Sequence, residues 1–108
     1  MKRYGFVIQL RDGMEAEYRR LHGSVWPEVL EQIRKSNISD YSIFLRDGLL
    51  FGTYMYSGED HDADMQKMAE DPATQRWWKL TAPCQVPIAT AADGEWWASM
   101  EEVFHFEG

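Results

Sequence analysis

Residues 41–56 read YSIFLRDGLLFGTYMY and predict a β-hairpin. The two flanking runs, residues 41–46 and 49–56, are rich in the aromatic and aliphatic side chains that favour strands. Asp47 and Gly48 between them form a two-residue connection, which suits antiparallel strands because glycine adopts positive φ without steric cost. This hairpin is the element from which the rest of the chain can be assigned.

The chain after the hairpin predicts two helices, a loop and a last strand. Residues 60–70 open with acidic side chains, which suit the positive end of a helix dipole. Residues 71–80 carry Pro72 in what would be an opening helical turn. Residues 81–93 contain two prolines and little periodicity and predict a loop, whereas residues 100–106 predict a strand.

The chain before the hairpin predicts a strand and an interrupted helix. Residues 4–10, YGFVIQL, are β-rich, and residues 14–36 repeat apolar side chains at helical spacing. Pro27 lacks a backbone N–H and crowds the preceding turn, so we expect it to break this helix. Residues 37–40, NISD, predict a turn.

The predicted order is therefore β-α-β-β-α-β within a single domain, residues 1–108. This order predicts an α+β ferredoxin-like fold, in which an antiparallel sheet carries its helices on one face. The other face of the sheet then needs cover, and in so small a domain a second subunit is a natural source of it.

The composition of the chain limits the kinds of partner that the protein is expected to bind. The formal net charge is −7, and such an acidic surface repels phosphate backbones, which argues against a nucleic-acid partner. No apolar run approaches the roughly 20 residues of a membrane span, and the N-terminus lacks a signal-peptide pattern, so we expect no membrane partner and a cytoplasmic location. The single cysteine, Cys84, allows no disulfide within the chain.

The segment EYRRLHGSVWPEVLEQ, residues 17–32, places Tyr18, His22 and Trp26 at four-residue spacing. Each four-residue step turns about 40° around a helix, so Tyr18 and His22 share one small volume. Histidine exchanges protons near neutral pH, and a neighbouring phenol can donate to a substrate hydroxyl. Spacing alone favours an aromatic stripe that packs on the sheet, with a catalytic site as the alternative.

Two further segments are rich in tryptophan. QRWWK contains Trp77 and Trp78, which cannot point the same way from a helix, so one can pack inward while the other meets a ligand or a partner chain. EWW, residues 95–97, suits an interface or a lid as well as core packing. For both segments, the sequence leaves a structural role and a binding role as alternatives.

Metal and phosphate motifs are missing from the sequence. The three histidines lack the spacing of a zinc-binding helix. Asp60, Asp62 and Asp64 resemble a calcium loop only superficially, because its glycine and distal glutamate are not in place. We therefore predict a solvated helix start there and no metal site.

The sequence resembles the L-rhamnose mutarotase family along nearly the whole chain. The resemblance rests on four segments taken together, which are EYRRLHGSVWPEV, YSIFL, QRWWK and a terminal EEVFH. The resemblance implies a homodimer of ferredoxin-like subunits whose sheets pack into a dimeric α/β barrel. It implies an enzyme without cofactors that interconverts the α and β anomers of L-rhamnose, a monosaccharide.

The same resemblance implies roles for particular residues. His22 falls where the family has its proton-transfer histidine, and Tyr18 and Tyr41 fall on tyrosines that contact substrate. Trp77 and Trp78 fall on the tryptophan pair that borders the sugar. The chain departs from the family's pattern between Leu80 and Met100, which leaves the exact sugar open.

Mutarotation suits these residues because it needs only an acid and a base to open and close the ring. Two alternatives stay open at this point. One is a cofactor-free monooxygenase of quinol-like substrates on the same dimeric barrel, and the other is a non-catalytic sugar-binding module. The sequence also leaves open which residue is acid or base, and whether residues 81–99 close their own site or the partner's.

Overall fold

An antiparallel five-stranded sheet with four α-helices forms the computed structural model, which describes all 108 residues. The elements, in chain order, are β1 (Lys2–Leu10), α1 (Glu15–His22), α2 (Pro27–Lys35), β2 (Ile38–Arg46), β3 (Leu49–Tyr56), α3 (His61–Glu70), α4 (Pro72–Thr81), β4 (Gln85–Val86) and β5 (Ala98–Met100). One turn of 3-10 helix, Ala82–Cys84, joins α4 to β4.

The strand order is β2-β3-β1-β4, and β5 pairs with β1 as well. Both short strands lie antiparallel to β1, β4 beside its Leu10 end and β5 beside Gly5–Val7. Together they take the place of the single last strand that the sequence predicted. The ferredoxin-like arrangement is confirmed, with the helices packed on one face of the sheet.

The predicted hairpin is confirmed. Arg46 and Leu49 face each other in register across the two-residue turn, and both turn residues have positive φ, 53° at Asp47 and 74° at Gly48. The turn predicted at residues 37–40 is wrong beyond Asn37, because β2 already begins at Ile38. That side chain is 4% exposed and its residue pairs with Tyr56, so burial and pairing extend the strand.

The predicted break in the first helical segment is also confirmed. α1 ends at His22, and α2 begins at Pro27, which needs no N–H in a first turn. Trp26 before it is extended, with ψ 137°, as the clash with a proline ring requires. The break sets α2 in a new direction and leaves His22 at the end of a helix.

Aspartates cap both later helices. The Asp60 side chain accepts a hydrogen bond from the Ala63 N–H and the Asp71 side chain accepts one from the Thr74 N–H, so each helix begins one residue later than predicted. The prediction of a solvated start for α3 is wrong at Asp64. It is only 7% exposed and accepts hydrogen bonds from the Tyr56 hydroxyl and from Asn37 Nδ2, at 2.5 and 3.0 Å.

Two predictions near the C-terminus are wrong. Residues 81–93 are not all loop, because the 3-10 turn and β4 lie within them. The predicted strand at residues 100–106 includes only Met100, and residues 101–108, called here the C-terminal arm, have no regular structure. A strand needs a neighbour for its backbone hydrogen bonds, and the arm pairs with no strand of its chain.

The two faces of the sheet differ in burial. The helix face carries the core, in which Ile8 and Leu50 pack against Tyr18, Val29 and other helix residues. The outer face carries a cross-strand row of Phe44, Phe51 and Val7, in which Phe44 is 63% exposed. No helix of this chain covers that row.

Gly52 of β3 is the glycine on which the packing of the helix face depends most. A Cβ there would lie 2.2 Å from the Phe6 ring, which packs over it. We therefore expect Gly52→Ala to displace Phe6 and to lower the free energy of unfolding by about 1–3 kcal/mol, the usual cost of overpacking. Urea titration measures this, with Gly5→Ala as the control because the nearest neighbour of its Cβ is the Met100 methyl group at 3.4 Å. Equal losses in both variants would contradict the prediction.

Candidate active site

The last turn of α1 brings Tyr18 and His22 together. Their rings stack with centroids 4.2 Å apart and an interplanar angle of 26°. Tyr18 is 5% exposed and belongs to the core cluster, whereas His22 is only partly buried. The sequence left an aromatic stripe and a catalytic site as alternatives, but the two are compatible. Tyr18 packs in the core, whereas His22 reaches a cavity.

The His22 ring has a defined proton position. Its Nδ1 lies 3.0 Å from the backbone oxygen of Tyr18, and since a carbonyl only accepts, Nδ1 must carry the proton. Burial lowers the pKa of His22, and the backbone hydrogen bond opposes part of that effect. The ring is therefore neutral near pH 7, and Nε2 keeps a free lone pair.

A cavity of about 280 Å³ opens between α1 and the hairpin, close to the lower end of the size range of small-molecule sites. His22 and Tyr18 supply polar groups on the helix side, and aliphatic side chains supply the strand side. The complete lining is Tyr18, Arg19, His22, Gly23, Ile43, Leu45 and Leu50. This combination of one apolar wall and a few convergent polar groups is typical of ligand sites.

Tyr41 lies on the helix face of β2, although 38% of its surface is exposed. Its ring packs edge-on against Phe6 and tilted against Tyr54. Burial of the hydroxyl end, together with the nearby Tyr18 and Tyr54, raises the pKa of Tyr41. Burial also raises the pKa of Tyr18 to about 12, against the influence of Gln85. The phenols of Tyr18 and Tyr41 are therefore protonated at neutral pH, well below their raised pKa values.

The two tryptophans of α4 separate as helical geometry requires. Trp77 is 5% exposed and meets His22 edge-on at 5.5 Å and Trp26 at 5.3 Å. Trp78 is 42% exposed. The structure thus brings Trp77 to His22 and leaves Trp78 on the surface, and Trp26 packs against Trp77.

A second polar-aromatic cluster was not predicted from the sequence. The Tyr54 hydroxyl lies 2.6 Å from His61 Nε2, and the His61 ring stacks on Tyr4 at 4.0 Å. Burial lowers the pKa of His61. The register of β1 with β3 places Tyr4 opposite Tyr54. This pairing is the signal that would have revealed the cluster.

Residues 81–99 close onto their own chain. The Trp97 ring packs edge-on against Phe6 at 5.2 Å, and the Trp96 indole N–H donates to Gln85 Oε1 at 2.9 Å. Both contacts were beyond the reach of sequence reasoning, because the residues that they join are not neighbours along the chain. Cys84 in the same segment is fully buried, and burial raises the pKa of its thiol.

No group of three or more histidine, cysteine, aspartate or glutamate side chains is placed to hold a metal ion. None of the helices is both long enough and apolar enough to cross a membrane.

Comparison with known proteins gives consistent matches. The family model described as L-rhamnose mutarotase matches residues 3–106. An L-rhamnose mutarotase of Sinorhizobium fredii is 38% identical over 97% of this chain and 98% of its own length. One from Oceanobacillus iheyensis is 33% identical over 99% of this chain and 100% of its own.

Two solved structures share the fold. The L-rhamnose mutarotase of Formosa agariphila superposes with a TM-score of 0.77 at 24% identity, over 99% of this chain and 100% of its own. The tetracenomycin F2 cyclase of Streptomyces glaucescens superposes with a TM-score of 0.73 at 10% identity, over 100% and 99%. At these identities both likenesses concern the fold alone, and the second is a polyketide cyclase.

Proposed function

The chain belongs to the L-rhamnose mutarotase family, and from that membership we propose that it interconverts the α and β anomers of L-rhamnose. The observation that carries the proposal is the neutral His22 ring, which lines the cavity beside Tyr18 with its Nε2 unprotonated. A base of this kind is what ring opening of a sugar requires.

His22 is the proposed base in the ring-opening step. Nε2 takes the proton of the anomeric hydroxyl, so that the C1–O1 bond gains double-bond character as the bond from C1 to the ring oxygen breaks. Because Nδ1 donates to the Tyr18 carbonyl, the imidazolium that forms keeps a hydrogen-bond acceptor at its buried nitrogen. That contact stabilises the charged ring during the reaction.

Tyr18 and Tyr41 are the proposed sources of hydrogen bonds to the sugar. Both phenols are protonated at neutral pH, because the ordinary tyrosine pKa of about 10 lies well above 7 and burial raises the pKa of each further. Either can donate to the ring oxygen, which needs a proton as its bond to C1 breaks. After rotation about the C1–C2 bond the same transfers run in reverse and close the ring on the other face.

Trp77 and Trp78 are the proposed aromatic borders of the sugar. Trp77 supports His22 through its edge contact, and Trp78 offers an accessible aromatic surface. Aromatic faces stack on the C–H faces of sugars while polar groups contact the hydroxyls. The proposed substrate is therefore a monosaccharide pyranose, and every proposed chemical role is taken by a side chain of the protein.

The proposed base predicts the pH dependence of the reaction. Activity requires neutral His22 and is lost as the pH falls through its pKa in the free enzyme. Since burial lowers that pKa, we expect kcat/KM to stay constant through neutral pH and to fall only below the ordinary value of about 6.5. Anomer exchange measured across pH, after subtraction of the uncatalysed rate, checks this. An acid limb centred above pH 6.5 would contradict it.

The proposal includes a homodimer and a cytoplasmic location. The outer face of the sheet exposes Phe44 at 63% and Met100 at 41%. The C-terminal arm adds Val103, Phe104 and Phe106, which are 90%, 80% and 77% exposed. Apolar side chains that share one face and an adjoining arm are suited to burial against a second copy, which would also complete the proposed barrel.

The function is tested by saturation-transfer NMR of L-rhamnose anomers, together with a panel of other pyranoses. We expect the protein to accelerate exchange of L-rhamnose above the buffer rate and above the rate for sugars that differ at a single hydroxyl. Sugar binding without faster exchange would overturn the proposal and would identify a binding module instead.

A further inference from the structure

Arg19 is the only charged side chain that lines the cavity beside His22. On the cavity side of α1, Tyr18 and His22 form an inner row, and Arg19 and Gly23 form an outer row beside it, each with four-residue spacing. The Arg19 side chain is 66% exposed, so it lies at the rim of the cavity. Gly23 has no side chain, which leaves the rim open next to Arg19.

One edge of the Arg19 guanidinium is held by the protein. Its Nε donates to Glu15 Oε2 at 3.0 Å, one helical turn earlier. The terminal nitrogens Nη1 and Nη2, which carry the remaining N–H donors of the guanidinium, form no hydrogen bond within the protein. These donors are therefore available to a ligand in the cavity.

The other ion-paired arginines of the helices differ from Arg19. Arg20 donates from both Nε and Nη2 to Glu17, at 2.5 and 3.0 Å, so the carboxylate occupies the fork of the guanidinium. Arg34 is paired with Glu31 in the same two-point way. Neither of these arginines lines the cavity. Arg19 alone combines a place at the cavity with unused terminal nitrogens.

A sugar is a suitable ligand for these donors. The hydroxyl oxygens of a pyranose accept hydrogen bonds, and the planar fork of a guanidinium can donate to two neighbouring oxygens at once. The hairpin side of the cavity is aliphatic, since it consists of Ile43, Leu45 and Leu50. Among the lining residues, polar contacts to a bound sugar therefore come from the α1 side.

We propose that Arg19 is a substrate-binding residue, which donates hydrogen bonds from Nη1 and Nη2 to hydroxyl oxygens of the bound sugar. Glu15 is its positioning residue, because the hydrogen bond to Nε keeps the guanidinium from turning away into solvent. The inference rests on the proposed function and adds a contact to its site. The hydroxyls concerned do not react, so the contact is equally strong in the ground state and the transition state and acts on KM.

Arg19→Met tests the contact in the exchange assay with L-rhamnose, because methionine keeps an unbranched side chain on the helix but has no N–H to donate. We expect KM to rise about 10-fold, the effect of one net hydrogen bond, with little change in kcat. Arg19→Lys should give an intermediate KM, since an ammonium group donates as a point charge and not as a fork. An unchanged KM in Arg19→Met, or a loss confined to kcat, would overturn the proposal.

Arg20→Met is the matched control, because it removes an arginine and an ion pair from the same helix without touching the cavity. Exposed ion pairs contribute little to stability, so both variants should fold, which circular dichroism verifies. The KM of Arg20→Met should equal that of the parent protein. An equal rise of KM in both variants would overturn the proposal, because it would reveal a general effect of charge on α1.

Glu15→Ala tests the positioning role. It frees the guanidinium without removing it, so KM should rise by less than in Arg19→Met. In the double variant the loss of Glu15 should add nothing, because Glu15 acts only through Arg19. A parental KM in Glu15→Ala, or a further rise in the double variant, would overturn the positioning role.

Singly deoxygenated analogues of L-rhamnose, one for each hydroxyl group other than the anomeric one, give a direct readout of the contact. Loss of a hydroxyl that Arg19 binds should lower kcat/KM about 10-fold in the parent protein. The same analogue should react as well as L-rhamnose in Arg19→Met, because the contact is already missing there. Identical penalties in the two proteins for every analogue would overturn the proposal.

Failure of this inference can be distinguished from failure of the proposed function. A parent protein that does not exchange the anomers of L-rhamnose overturns the proposed function, and the role of Arg19 with it. An active parent protein whose Arg19 variants keep the parental KM overturns only the role of Arg19.

Discussion

His22→Asn is expected to lower the catalysed rate of L-rhamnose anomer exchange by about 10²–10⁴-fold, the usual contribution of a positioned acid–base group. This corresponds to about 3–5 kcal/mol in the activation free energy. Asparagine can still donate to the Tyr18 carbonyl in place of Nδ1, but its amide cannot take a proton near neutral pH. The variant therefore removes the base and retains the local hydrogen bond. Saturation-transfer NMR gives the rate, and circular dichroism verifies the fold.

His105→Asn is the matched control, because this histidine lies in the C-terminal arm and its ring contacts only Glu102. It should retain the activity of the parent protein. A His22→Asn protein that folds and exchanges anomers at the parental rate would remove His22 from the mechanism and would direct attention to the Tyr54–His61 cluster. Loss of activity in both variants would point to a general effect of histidine replacement.

Phe44→Glu is expected to convert a dimer into a monomer. Phe44 is the most exposed member of the outer-face row and is predicted to lie in the subunit interface. An unpaired charge buried there would cost about 3–5 kcal/mol, which weakens the dimer by about 10²–10⁴-fold. Analytical ultracentrifugation over a range of concentrations measures the change. Because the side chain is already solvent-exposed in a single chain, the subunit itself should still fold.

Leu30→Glu is the control for this charge, since Leu30 is 52% exposed on α2 and lies on the helix side of the sheet. It should leave the association unchanged. A parent protein that is monomeric at every concentration would contradict the homodimer, and a dimer unaffected by Phe44→Glu would place the interface elsewhere. Activity of the monomeric variant, measured in the same exchange assay, shows whether the site needs the partner.

Local chemistry explains which predictions succeeded. Asp47 and Gly48 dictate a tight hairpin because of the φ values they adopt, and Pro27 dictates a helix break because it lacks an N–H. Tyr18 and His22 meet because four residues separate them on one helix. Each of these outcomes depends on neighbours within a few positions along the chain, so it can be predicted from the sequence.

The failed predictions have a common cause. The predicted strand at residues 100–106 depended on β-prone side chains, but a strand also needs a partner, and the C-terminal arm pairs with no strand of its chain. Asp64 was predicted to be solvated from its acidic neighbours, and it is buried by Tyr56 and Asn37 from other elements. In both cases the deciding contact lies with another element or is missing from the chain.

The sequence by itself determined the hairpin, the helix break, the α+β ferredoxin-like order and the Tyr18–His22 pair, because short-range backbone and helical geometry set them. Only the tertiary structure decided that Trp77 and not Trp78 meets His22. It also decided the proton position on His22 and the hydrogen bond from Trp96 to Gln85. These features depend on the distances and hydrogen bonds that packing creates, and in particular on burial, which lowers the pKa of a histidine and raises that of a phenol.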